Sequence, residues 1–133
     1  MFKLLNINES AVTRFLQLEN LETGTIENCF DDSAVRSDDN FEFMKVGNTY
    51  DCKILLFGKF LEKKTESNVE IRIINPVVVI GNRKMLEVQV GRDTYYIPQI
   101  KASNASINER LPFYYTRKDL IQVNNVIHAD LLR

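Results

Sequence analysis

Apolar and polar positions alternate along most of the chain, and the alternation usually stops beside a glycine or a proline. From Thr49 to Phe57, Tyr50, Cys52, Ile54 and Leu56 fall on one face, with Asp51, Lys53, Leu55 and Phe57 on the other. The first face is apolar throughout and the second turns apolar towards its end, as in a strand running from the surface into a core. Gly58 interrupts this run before Lys59-Phe60-Leu61 and predicts a bulge or a sharp bend. Val69, Ile71 and Ile73 then alternate with Glu70 and Arg72 until Asn75-Pro76. Proline cannot donate to a ladder, so position 76 predicts an edge, a bulge or a change of strand. Val77 to Ile80 reads as a short buried strand. Gly81-Asn82-Arg83-Lys84 turns the chain, and Leu86, Val88 and Val90 alternate with Glu87 and Gln89. Gly91-Arg92-Asp93 turns it again into Thr94-Tyr95-Tyr96-Ile97, which Pro98 stops.

Towards the N-terminus, Glu22-Thr23-Gly24-Thr25 separates Phe15-Leu16-Gln17-Leu18 from Thr25-Ile26-Glu27-Asn28-Cys29-Phe30, a hairpin pattern. Asn8 to Thr13 reads either as the start of a short helix or as the lead-in to that hairpin. Residues 101–112 have loop composition. Near the C-terminus Thr116-Arg117-Lys118-Asp119 matches a capping box, and Leu120, Val123, Ile127 and Leu131 have helical spacing. The β-branched Ile121, Val123, Val126 and Ile127 and the Asn124-Asn125 pair argue instead for a strand near 120–124 and then a turn, and this alternative is preferred. The fold expected is mainly β: a small curled antiparallel sheet or barrel of about six to eight short strands, with room for a short terminal helix. A length of 133 residues fits a single domain over 1–133.

Composition narrows the function classes. With 44% hydrophobic and 26% charged residues the chain is too apolar to be a disordered tail. No apolar run reaches membrane-spanning length. Polar Asn6, Asn8 and Glu9 stand where a secretory apolar region would continue, so a cytoplasmic protein with no membrane partner is expected. Cys29 and Cys52 are far apart in sequence and read as buried free thiols. With His128 as the single histidine, no zinc-ligand spacing exists and no metal or other cofactor is expected. A nucleophilic triad would have to use His128, and neither a nucleophile elbow nor a glycine-rich phosphate cradle occurs. The expectation is a protein that is not an enzyme.

The net charge of −1 conceals segregation. Residues 17–44 hold eight acids and a single base, a local net of −7, whereas residues 45–133 carry +5. The acidic stretch interleaves with Phe30, Phe41 and Phe43. Glu27, Asp31, Asp32, Asp38, Asp39 and Glu42, with Phe41 and Phe43 as anchors, form the candidate partner-binding set, suited to a basic protein. The EF-hand spacing and its turn glycine are missing from Asp31 to Asp39.

Together with the stretch Tyr115 to Asn125, the phrases Leu18-Glu19-Asn20-Leu21-Glu22-Thr23-Gly24 and Cys29-Phe30-Asp31-Asp32-Ser33 give the chain its likeness to a known group. It resembles the immunity proteins encoded beside bacterial contact-dependent growth inhibition systems and related polymorphic toxins. The resemblance implies a non-catalytic, cytoplasmic protein that binds its cognate toxin domain, commonly a nuclease, and covers the active site. Acidic side chains would then compete as phosphate mimics for the toxin's Lys and Arg. The alternative is a small barrel of the oligonucleotide-binding type, with Lys53, Arg72, Arg83, Lys84, Arg92, Arg117 and Lys118 beside Tyr50, Tyr95, Tyr96, Tyr114 and Tyr115 on a single-strand surface.

Overall fold

A computed structural model of the chain describes residues 1–133. The fold is mainly β, as the alternation predicts. Its ten strands are β1 (Phe2–Glu9), β2 (Arg14–Asn20), β3 (Ile26–Asp31), β4 (Thr49–Tyr50), β5 (Cys52–Phe60), β6 (Val69–Ile80), β7 (Arg83–Val90), β8 (Asp93–Pro98), β9 (Arg110–Val123) and β10 (Val126–Ile127). One helical turn, α1 (Ser33–Arg36), follows β3, and 3₁₀ turns cover Gln99–Ala102 and Ala129–Leu131. No helix is long and apolar enough to cross a membrane.

The sheet runs β4-β1-β2-β3-β9-β5-β8-β7-β6. The first residues of β9, Arg110 to Phe113, also pair with β6, so β9, β5, β8, β7 and β6 form a ring of pairings. Further along, β9 exchanges β6 for β3 at Lys118 and Asp119, and the β3-β2-β1-β4 layer leaves the ring there. Hydrogen bonds of 2.7 Å from Thr23 and Thr25 to Asp93 tie the β2–β3 turn back to β8. The sheet is mixed where a wholly antiparallel one was expected: β3 runs parallel to β9, and β5 runs parallel to β8. Both parallel contacts join strands distant in sequence, which local alternation cannot register.

Two apolar clusters follow from the double-sided pattern of β5. Ile54 and Leu56 enter the main core with Leu16, Leu18, Ile71, Leu86, Phe113 and Leu120. Leu55, on the opposite face, packs in a smaller cluster with Ile80, Met85, Tyr96, Ile121 and Leu131. Gly58 is the expected irregularity: the β5–β9 register shifts between Phe57 and Gly58. A Cβ at Gly58 would lie 1.9 Å from the Tyr114 carbonyl oxygen, so only glycine permits this close crossing.

Pro76 lies past the end of the β6–β9 pairing, flanked by register shifts against β7, so its missing N–H leaves no ladder bond broken. Val77 and Val79 are exposed there, a correction to the short buried strand expected over 77–80; only Ile80 is buried. The N-terminal residues form a strand, β1, and the C-terminal ambiguity resolves as strand, then a turn at Asn124 with φ 53°, then β10. Cys29 and Cys52 are buried and free.

Candidate functional site

Most of the residues expected at a partner-binding face belong to one connected region, but they divide into a supporting group and a presented group. Glu27, Asp31 and Phe41 are the corrections. Alternation turns Glu27 inward from β3, where it is 1% exposed, accepts a 2.6 Å hydrogen bond from the Tyr95 hydroxyl and is paired with Lys118. Burial, then the bond to Glu27, pushes the Tyr95 hydroxyl far above its usual range. Asp31 is 2% exposed and paired with Arg14 on the facing strand, Nε to Oδ2 at 3.0 Å and Nη2 to Oδ2 at 2.9 Å. Its other oxygen accepts the Ser33 N–H at 2.8 Å. Phe41 is fully buried.

These buried groups fix the loop that follows α1. Arg14 donates from Nη2 to the Phe41 carbonyl at 2.8 Å, and the Phe41 N–H donates to Ser33 Oγ at 3.1 Å. Asn40 donates to the Ser37 carbonyl at 3.0 Å and accepts the Glu42 N–H at 2.9 Å, which sets the turn between them. Further on, the Lys45 N–H donates to the Tyr50 hydroxyl at 2.7 Å, and the Phe43 ring packs edge-on against Tyr50 at 5.9 Å. Asp38, Asp39, Glu42 and Phe43 are thereby exposed on a loop with a defined shape. None of the three acids is in an ion pair. Beside them a hollow of about 320 Å³ is lined by Glu9, Val12, Ala34, Val35 and Glu42 above the Arg14–Asp31 pair.

Asp32 links this loop to the C-terminal turn. His128 is buried, and its Nδ1 accepts the Asp130 N–H at 3.1 Å, so Nε2 carries the ring proton and donates to Asp32 Oδ1 at 2.6 Å. Burial opposes ionisation of the Asp32 carboxyl. The His128 hydrogen bond and the nearby Arg36 outweigh it and lower its pKa. Asp32, His128 and Asp130 present ligand atoms within 4.8 Å of one another, the one donor set able to approach a cation. Arg36 stands at 3.4 Å from Asp32 and 4.0 Å from Asp130 and already supplies positive charge to both carboxylates.

A second feature escaped the sequence. On the outer face of the sheet Phe15 of β2 pairs with Phe30 of β3, ring centroids 5.5 Å apart. The Arg117 guanidinium of β9 lies 4.2 Å from the Phe30 ring centre and 4.8 Å from that of Phe57 in β5. Asp119 accepts from Arg117 Nε at 2.5 Å and from Nη2 at 3.1 Å, which raises the Arg117 pKa further. The signal available was a phenylalanine at an outward position on each of three strands, but their adjacency depends on the β3–β9 and β5–β9 pairings. The row borders a cleft of about 310 Å³ that Arg36 and His128 also line.

No family model, curated protein or solved structure matches this chain. The acid loop can attract and orient cations, and the aromatic row can cover apolar surface. Of the seven cations expected on a single-strand surface, Lys118 is paired with Glu27 and Arg117 with Asp119, Arg72 donates to Gln89 and Asn108, and Lys53 donates to Gln122; Arg83, Lys84 and Arg92 are exposed. Tyr50, Tyr95 and Tyr96 are buried, leaving Tyr114 as an exposed ring.

Proposed function

We propose that the chain is a non-catalytic inhibitor that binds a basic surface of a partner protein, in the manner of an immunity protein covering a toxin nuclease. The observation carrying this proposal is the loop of Asp38, Asp39 and Glu42: three exposed carboxylates without cationic partners, held in shape by buried Arg14, Ser33 and Phe41. A phosphate-binding face of a nuclease is rich in Lys and Arg. Carboxylates fixed before encounter can occupy such a face with little ordering cost, and opposite potentials speed the approach. Phe43, exposed beside Glu42, gives the same loop an apolar anchor.

The test is co-expression in a bacterial host with the C-terminal domain encoded by the gene immediately upstream, which on this proposal is the toxin domain. The wild-type chain is expected to restore growth and to co-purify with the toxin domain. The triple variant D38S/D39S/E42S is expected to lose most of that protection while keeping the wild-type urea midpoint, because none of the three side chains supports the fold. Full protection by the triple variant overturns the acidic-loop assignment. Failure of the wild-type chain to bind the upstream product overturns the inhibitor proposal.

A further inference from the structure

The row formed by Phe15, Phe30, Arg117 and Phe57 spans four adjacent strands, β2, β3, β9 and β5. Phe15 is 45% and Phe57 52% exposed, in a protein whose other aromatic rings are mostly turned inward. Ile26, which lines a surface hollow with Phe15 and Arg117, extends the exposed apolar surface. Large apolar groups around one arginine are the composition of an interface centre rather than of ordinary surface.

The state of Arg117 decides what kind of occupant fits. Both Nε and Nη2 already donate to Asp119, and the guanidinium carbon lies over the Phe30 and Phe57 rings. Covering this arginine with apolar groups strands no unpaired charge, because its partner is covered with it. A nucleic-acid backbone would have to compete with Asp119 for the same donors, and the carboxylate would repel the phosphates. A second copy is also disfavoured. Four strands at about 4.8 Å spacing give a stripe roughly 14 Å long. At a width of about 10 Å, that of one helix, it offers roughly 140 Å² per copy, well short of the roughly 600 Å² each copy contributes to a stable dimer. A stripe of that length accepts one segment of about two to three helical turns.

Arg36 lines the cleft beside the row and is also the last residue of α1, directly before the acid loop. The apolar stripe and the free acids are thus joined through one short helix. We infer that the Phe15–Phe30–Arg117–Phe57 row is a docking stripe for a single apolar segment of a partner protein, flanked by lysine or arginine that reaches Asp38, Asp39 and Glu42. This inference rests on the inhibitor proposal for the partner's identity and adds the apolar half of the contact.

Two probes separate the possibilities. One is a fluorescent 14-residue helical peptide with leucines on one face and lysines on the other; the other is a catalytically inactivated form of the upstream toxin domain. Peptide binding is expected to weaken at least tenfold in F15S/F57S with its salt dependence unchanged. In D38S/D39S/E42S the salt dependence is expected to flatten. F57S alone, with far-UV circular dichroism and urea midpoint as controls, serves if the double variant folds poorly. Wild-type affinity for the peptide in both F15S/F57S and F57S overturns the stripe, as does absence of peptide binding by the wild-type chain. Binding of a 20-residue oligothymidylate or oligouridylate that F57S abolishes overturns it in favour of nucleic acid. A dimer in sedimentation that F57S dissociates overturns it in favour of a second copy. Peptide binding through the stripe with no binding of the toxin domain sustains the stripe and removes the inhibitor proposal.

Discussion

Replacing Arg14 by methionine tests how the acid loop is supported. The side chain makes two contacts with Asp31, at 3.0 and 2.9 Å, and one with the Phe41 carbonyl at 2.8 Å, all buried. Methionine refills most of the volume but leaves the Asp31 carboxylate, 2% exposed, with only the Ser33 N–H as a donor. Breaking a buried pair by removing one partner costs about 3–5 kcal/mol, because the remaining charge is stranded out of water. Against a total stability of roughly 5–15 kcal/mol this is a large fraction. With a urea slope near 2 kcal/mol per molar, the midpoint is expected to fall by about 1.5–2.5 M. The double variant R14M/D31L removes both charges and replaces them with apolar groups, so most of the loss is expected to be recovered. A double-mutant cycle by urea unfolding, followed by tryptophan-free tyrosine fluorescence and far-UV circular dichroism, measures the coupling directly. A single-variant cost below about 1 kcal/mol, or strictly additive effects in the cycle, refutes the argument that this ion pair holds the loop.

Gly58→Ala places a Cβ against the Tyr114 carbonyl and Tyr115 Cα, backbone atoms that cannot rotate aside, and is expected to cost roughly 3 kcal/mol by urea unfolding, the upper end of overpacking effects. The Asp32 pKa is lower in the fold than the roughly 3.9 of an unfolded aspartate, so its contribution is present above about pH 4 and is lost as pH falls through the lowered value. Asp32→Asn is therefore expected to show a shallower loss of stability on acidification than the wild type, read from urea midpoints across a pH series; an unchanged slope counts against the Asp32 linkage. Burial pushes the Cys52 thiol up to about 12 and the Cys29 thiol well above its usual value, so neither is expected to react with a disulfide reagent at pH 8 until guanidinium chloride unfolds the chain. Rapid labelling of the folded protein would place one of them at the surface.

Strands were legible where burial of one face imposes period two: the first half of β6 and the end of β7 show it, and β5 shows it until both of its faces enter a core. The single glycine between Phe57 and Lys59 likewise marked the place where β5 and β9 change register. What alternation does not encode is which distant strand lies alongside. The β3–β9 pairing brings Phe30 beside Arg117 across 87 positions, and no local pattern contains that contact. The acidic stretch was visible as charge, but its division was not. Glu27 reads like any surface glutamate until Lys118 and Tyr95 are found facing it, and Asp31 until Arg14 is seen on the neighbouring strand. Phe41 and Phe43 sit two residues apart in the same polar loop, and only packing against the core separates the buried ring from the exposed one. Conversely, Asp38, Asp39 and Glu42 are at the surface as expected, and no ion pair engages them although Arg36 and Lys45 are close in sequence.

The shared use of β9 by β3, β5, β6 and β10 has a consequence for how the chain is made. This strand begins at residue 110, so a ribosome that has released the first hundred residues has delivered three open edges and no element to close them. Pairings across such separations form slowly, and unpaired edges recruit other chains. The nascent protein must therefore wait, exposed, for its last long strand. Any change that delays β9, such as a rigid linker or a pause site within residues 110–123, should raise aggregation during synthesis without altering the finished fold.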